Sequence, residues 1–269
     1  MLSDGGHYER SPAYHRLVLR DLLSVRAYTD VEHAIARMLD FAAGSSRPDG
    51  APWLFNDGGL DIAPALELNE PVDGVRVFPE TGYVFVRRGG LAFAFDCGPV
   101  SPPFLPAHAH ADGLSFQLWL DGEPVVVDPG MPTYEAGTER DFFRSTHAHS
   151  TVVVGGSQFE TWGAFRAGPL PQVELVDADA NGATGRVVTA HGEHTRRIKL
   201  EPDAVVVEDE TRGGEAVSTL VLVRDVTVQA AVEPTRRAAI LAERLGERQP
   251  IGALVQRGTA LPTWRIPIV

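Results

Sequence analysis

A single cysteine, Cys97, in 269 residues leaves no partner for an intrachain disulfide, so the fold must close on packing and the redox compartment stays open. Positive charge is short as well: 24 Lys and Arg stand against 36 Asp and Glu, a formal net charge of -12. That balance excludes non-specific attachment to nucleic acid or to an anionic membrane surface, yet a local arginine cluster could still receive an anionic substrate. No apolar run approaches the roughly 18 residues of a membrane span. No signal-peptide core opens the chain either. What remains is ordinary, with 43% hydrophobic and 22% charged residues, enough for a full core as one large domain or a small piece plus a large one.

The opening, "MLSDGGHYERSPAYH", reads like mid-domain sequence, and a front portion is expected to be missing. A leader on that portion would place the protein in the periplasm or outside the cell; without one it is cytoplasmic. Ser11-Pro12 predicts a helix start, with Ser as N-cap and Pro in the first position. The run that follows puts Tyr14, Val18, Leu22 and Val25 near one face. A second helix is expected from a Thr29–Glu32 capping box, through Val31, Ala34, Ile35, Met38, Leu39 and Ala42, to a stop at Gly44. Two such helices cannot close a core alone.

From about residue 73 the pattern turns to strands. "GYVFVRR" and "LAFAFDCG" flank Gly89-Gly90, a hairpin signal. "LSFQLWL", "EPVVVDPG", "STVVVGG", "RRIKLEPDAVVVEDE" and "STLVLVRDVTV" continue the series. The expected fold class is mainly β, an antiparallel β-sandwich preceded by a short all-α segment. After residue 230 the pattern weakens to one partly helical in period, with no place on the sandwich. There are no internal repeats.

The chemistry concentrates in "LPAHAHADGLSF", residues 105–116. In extended chain, side chains two apart point the same way, so His108 and His110 project together and Asp112 is in line to join them. Asp128 closes one strand and His149 opens another. Two histidines and a carboxylate at strand ends suit zinc or a similar divalent metal; the plainer alternative is histidines that only hydrogen-bond nearby carbonyls. A cupin reading fails because the positions that should carry its Glu are Leu114 and Ser115.

"HAHADGLSFQLWLDGEPVVVDPGMPTY" with "RSTHAHSTVVVGG" resembles the C-terminal sandwich of heparinase II/III-like polysaccharide lyases. "LSDGGHYERSPAYHRLVLRDLL" resembles the end of the helical toroid that precedes it, and "APWLFNDGG" the segment between. The resemblance covers about residues 3–210. It implies a division into a toroid remnant (1–60), a connector (61–80) and the sandwich (81–269). It implies catalytic roles for Tyr14 and His108, and zinc ligation by His110, Asp128 and His149; Ser150 stands where the family usually has Asn. The toroid residues that neutralise the substrate carboxylate have no match here.

The implied reaction is β-elimination on uronic-acid polysaccharide, of heparin, heparan-sulfate, alginate or exopolysaccharide type, with Tyr14 as base and acid and His108 or His15 tuning it. One zinc would pin strand ends together. Arg144, Tyr134 and His15 are the expected substrate contacts. Arg140 lies with Arg144 just upstream of the last ligand, Arg87, Arg88 and Arg166 are weaker candidates, His7, Tyr8 and Glu9 cluster before the helix where they could line the cleft, and His33, His191 and His194 read as structural. A non-catalytic carbohydrate-binding remnant and a metal-dependent hydrolase are the competing readings, and the chain is compatible with a homodimer.

Overall fold

The computed structural model describes residues 1–62, 64–69, 72–223, 228–230, 233–259, 261 and 263–268. Two helices come first, α1 (Pro12–Val25) and α2 (Glu32–Gly44). Ser11 caps α1, its hydroxyl accepting from the Tyr14 amide at 3.3 Å. Of the row Tyr14, Val18, Leu22 and Val25, Val18 and Leu22 pack half-buried against Leu19, Ile35, Met38 and Ala42, but the fully buried side of α1 is offset from it. Pro12, Ala13, His15, Arg16 and Leu19 are its buried residues, and Val25 is exposed. Two polar side chains hold the inward face because each finds partners there: His15 meets the Met38 carbonyl at 2.9 Å, and Arg16 donates to Ser46 Oγ and the Gly50 carbonyl. The Thr29–Glu32 capping box does not form; Val31 is the N-cap of α2, without a side-chain cap. Ile35, Met38, Phe41 and Ala42 of α2 are buried.

The remainder is mainly antiparallel β-structure in two large sheets, of nine and six strands. In the larger, Tyr83–Arg88 and Leu91–Asp96 form the expected hairpin around Gly89-Gly90, followed by Phe116–Leu120 and Glu123–Val126. In the smaller, Gly182–Val188, Gly192–Leu200 and Ala204–Gly213 run side by side. The facing surfaces share one core, with Phe93, Phe95, Phe116 and Leu118 from one sheet and Val187, Ile198, Val207 and Trp264 from the other. This is a β-sandwich. All five residues of Phe116–Leu120 are buried because the outer face of the larger sheet is covered too. There Ala92, Ala94 and Trp119 pack with Phe41 of α2 and with Trp53 and Phe55. The helices therefore form a third layer.

Gly74–Phe78 pairs with Tyr83–Arg88, so the first strand falls inside the stretch read as connector. The segment after residue 230 is not helical: Thr235–Leu241 and Gln249–Gly258 form an antiparallel pair at the rim of the larger sheet. Arg237, Ala239 and Leu241 are its inward positions and Arg236, Ala238 and Ile240 its outward ones, so the two faces are equally apolar and the sequence shows no strand alternation. Residues 224–227 of the expected run "STLVLVRDVTV" lie outside the described residues. No helix among the described residues is long and apolar enough to cross a membrane.

Candidate active site

The loop before strand Phe116–Leu120 carries His108, His110 and Asp112, the last two fully buried. Both imidazoles reach a carboxylate to which the sequence reading assigned no role. His108 Nδ1 lies 3.0 Å from Asp57 Oδ2, and His110 Nε2 lies 2.9 Å from Oδ1. Arg140, on helix α3 (Thr138–Arg144), closes a bidentate pair on the same carboxylate, Nη2 at 2.6 Å from Oδ2 and Nη1 on Oδ1. Burial disfavours the charged form of Asp57, but the hydrogen bonds from Arg140, His108 and His110 outweigh it and hold the pKa well below the usual carboxylate range. The main chain fixes Asp57 as well. Its amide donates to the His108 carbonyl at 2.8 Å, and its carbonyl accepts from Ser11 Oγ at 2.5 Å. One serine thus starts α1 and anchors the carboxylate loop.

Tyr14, three residues into that helix, lies against His108 with ring centroids 4.3 Å apart and planes tilted by 31°, and its hydroxyl is 3.1 Å from that of Tyr134. The Arg140 guanidinium sits 5.2 Å over the Tyr134 ring. Burial raises the pKa of both phenols, in Tyr14 against a lowering contribution from the Tyr134 hydrogen bond. With Asp57 ionised, the hydrogen-bond network assigns the His108 proton to Nδ1 and leaves Nε2 as the acceptor. The arrangement can therefore hold a proton on a phenol beside an imidazole oriented by a carboxylate.

Behind these groups lies a second convergence. His110, Asp112 and His149 each offer a ligand atom within 4.8 Å of the others. Each also carries a buried atom without a hydrogen-bond partner: His110 Nδ1, Asp112 Oδ1 and His149 Nε2. Asp128, read as the third ligand, stands one step back, its Oδ2 2.7 Å from His149 Nδ1. Burial pushes Asp112 up to about 7, with the Asp128 charge adding to the rise, and Asp96 is also raised well above its ordinary value by burial and then by Asp112. Burial opposes a charge on His149, but Asp128 raises its pKa nonetheless. Burial lowers His110 to about 4. A buried carboxylate with an unpartnered oxygen beside two imidazole nitrogens without partners fits the donor set of a divalent cation.

The family model for the C-terminal domain of heparinase II/III-like proteins matches residues 70–255. The chain belongs to the heparinase II/III-like family. It is 29% identical over 253 residues to FtsZ-localized protein C of Caulobacter vibrioides, covering 82% of this chain and 42% of that protein. It is 23% identical over 199 residues to the heparin-sulfate lyase of Bacteroides stercoris, covering 59% of this chain and 30% of that one. Among solved structures, heparan sulfate lyase HepC of Pedobacter heparinus superposes with a TM-score of 0.75 at 15% identity, over 100% of this chain and 53% of its own. A heparinase III matches at 0.76 and 15%, over 99% and 55%. This family member thus spans about half the length, or less, of the relatives it matches.

Of the remaining residues read as site candidates, Tyr134 is at the site and two are not in reach of a substrate. His15 is 0% exposed, with Nδ1 accepting from the His7 amide and Nε2 facing the Met38 carbonyl. Arg144 is also 0% exposed, its donors turned to the carbonyls of Ala109, Pro106, Ala164 and Arg166. Arg140, named with Arg144 upstream of His149, is the arginine that pairs with Asp57 beside Tyr134. His194 is structural, paired with Asp209 at 2.8 Å. Asp57 was missed because Asn-Asp-Gly-Gly reads as turn chemistry; the hint was its position just before a conformationally permissive pair.

Proposed function

We propose that this chain is the C-terminal part of a polysaccharide lyase that cleaves uronic-acid polysaccharide by β-elimination. The observation that carries the reading is the ring contact of Tyr14, from a helix, with His108, from a sandwich loop, against an Asp57–Arg140 pair. A C5 proton beside a carboxylate is weakly acidic, and its removal calls for a base positioned within hydrogen-bond reach. Tyr14 serves as that base in its phenolate form, and the phenol so formed returns the proton to the departing 4-oxygen. Tyr134, hydrogen-bonded to Tyr14, stabilises the phenolate while it exists.

One Zn2+ would be held by His110 and His149 with a carboxylate, Asp112 by proximity, while Asp128 orients His149. Bound there it would tie the His108 loop to the loop after α3. Metal analysis checks this: Asp112→Asn is expected to abolish stoichiometric zinc, and Asp128→Asn to weaken it about 10–100-fold. Equal retention by both variants would remove Asp112 from the ligand set.

The test of the activity is the appearance of unsaturated uronate, followed by ultraviolet absorbance, on heparan-sulfate-like, alginate-like and other uronate polysaccharides. Product from at least one supports the lyase. A non-catalytic glycan-binding role is the second reading, favoured by the absence from these residues of the toroid side chains that would neutralise a substrate carboxylate; it predicts glycan binding with no product.

A further inference from the structure

The hairpin Glu160–Trp162 and Arg166–Gly168 has no part in the chemistry above, yet it ends at the mouth of the site. Phe165, in its turn, makes an edge contact with His108 at 6.2 Å and approaches Tyr134 at 6.2 Å. The Arg140 guanidinium lies 5.5 Å over its ring. Phe165 nevertheless stays 47% exposed, and Trp162 on the same hairpin 51%. A large aromatic in contact with the site residues and half open to solvent leaves apolar surface available to a ligand.

The hairpin is held firmly. The Ala164 carbonyl accepts from Arg140 Nε and Nη2 and from Arg144 Nη1, at 3.0 to 3.1 Å, and Thr161 Oγ1 donates to Asp141 at 2.9 Å. The two buried arginines thus have their charge engaged: Arg140 on Asp57, Arg144 on main-chain carbonyls. Neither offers a guanidinium to a sulfate or a carboxylate. What they do is present residue 165. Arg166 adds an exposed guanidinium on the hairpin, sufficient for a single carboxylate and not for a cluster of sulfates.

We propose that Phe165, flanked by Trp162, is a ring-stacking subsite that receives the apolar C–H face of a sugar in a uronate glycan next to the Tyr14–His108 pair. This rests on the glycan-lyase reading and adds to it the residue that selects ring faces over sulfate charge. Stacking of this kind buries apolar area and depends weakly on salt, whereas recognition through sulfate weakens steeply as salt screens it.

Calorimetric titration of the chain with an unsulfated uronate oligosaccharide, and with a heavily sulfated heparin fraction, at low and high salt tests the proposal. The expected result is binding of the unsulfated ligand that changes little with salt. Phe165→Ala and Phe165→Leu should weaken it about tenfold or more, Phe165→Trp should retain it, and the thermal midpoint should stay that of wild type because the ring is half exposed. Wild-type affinity in Phe165→Ala, or binding confined to the sulfated ligand with steep salt dependence, overturns the subsite. If wild type yields unsaturated product while Phe165→Ala behaves identically, the subsite alone fails. If wild type neither binds nor cleaves any uronate glycan, the lyase reading fails with it.

Discussion

Asp57 and His15 show how buried polar groups are fixed by pairing. Asp57 takes bonds from partners 51, 53 and 83 positions away in the chain, so its local Asn-Asp-Gly-Gly setting hints at a special position without revealing its partners. The HxH pair was legible because spacing by two is a local property; its common acceptor was not. His15 gives a direct pH test. Its Nε2–H donates to Met38 and its Nδ1 accepts from His7, so only the neutral ring satisfies both, and burial lowers its pKa to about 3 against an ordinary 6.5. His7, Arg16 and Asp4 are the charged or titratable groups that act on it. Between those two values the unfolded chain binds the extra proton, so stability falls as pH drops from about 6.5 toward 3, by up to about 1.4 kcal/mol per pH unit. His15→Gln, which keeps the donor to Met38 and cannot titrate, should show a flatter acid limb in urea melts from pH 7 to 4. A limb as steep as wild type would show that the ring is not held neutral.

Strands and helices were legible to different depths. β-branched runs separated by turn pairs announced the sandwich, because burial on one face is written into alternating positions. The inward face of α1 was not legible, since an apolar-row argument cannot see that His15 and Arg16 would find carbonyl and hydroxyl partners inside. The rim strand Thr235–Leu241 was lost for a different reason, its outward Ala238 and Ile240 being as apolar as its inward Ala239 and Leu241. One buried polar link joins the smaller sheet to the site loops. Arg196 Nη1 donates to the carbonyls of Leu114 and Ser150, at 2.8 and 2.6 Å, while Nε and Nη2 grip Asp209. Asp209 also takes Ser218, which receives the Trp264 indole N–H. Arg196→Met would leave Asp209 as a buried charge short of its counter-ion, and should cost about 3–5 kcal/mol in equilibrium unfolding. A loss under about 1 kcal/mol would mean the link is replaceable by apolar contact.

At the size of the molecule, three layers bring a helix-borne phenol onto a loop of the sandwich, and Phe41 of α2, packed with Trp119, is part of what keeps them together. At the site the guanidinium groups of Arg140 and Arg144 are engaged internally, so on the proposed lyase reading recognition of an anionic glycan would fall to oriented hydrogen bonds and aromatic surface. The family and the fold stand on sequence and shape; the reaction stands on Tyr14. The measurement is therefore the initial rate of unsaturated uronate formation by wild type and by Tyr14→Phe on the best uronate polysaccharide, with zinc content and melting temperature recorded for both. Tyr14→Phe should lower the rate about a hundredfold or more with metal and fold unchanged; a variant that turns over at the wild-type rate would contradict the assignment of the phenol as the proton-transfer group.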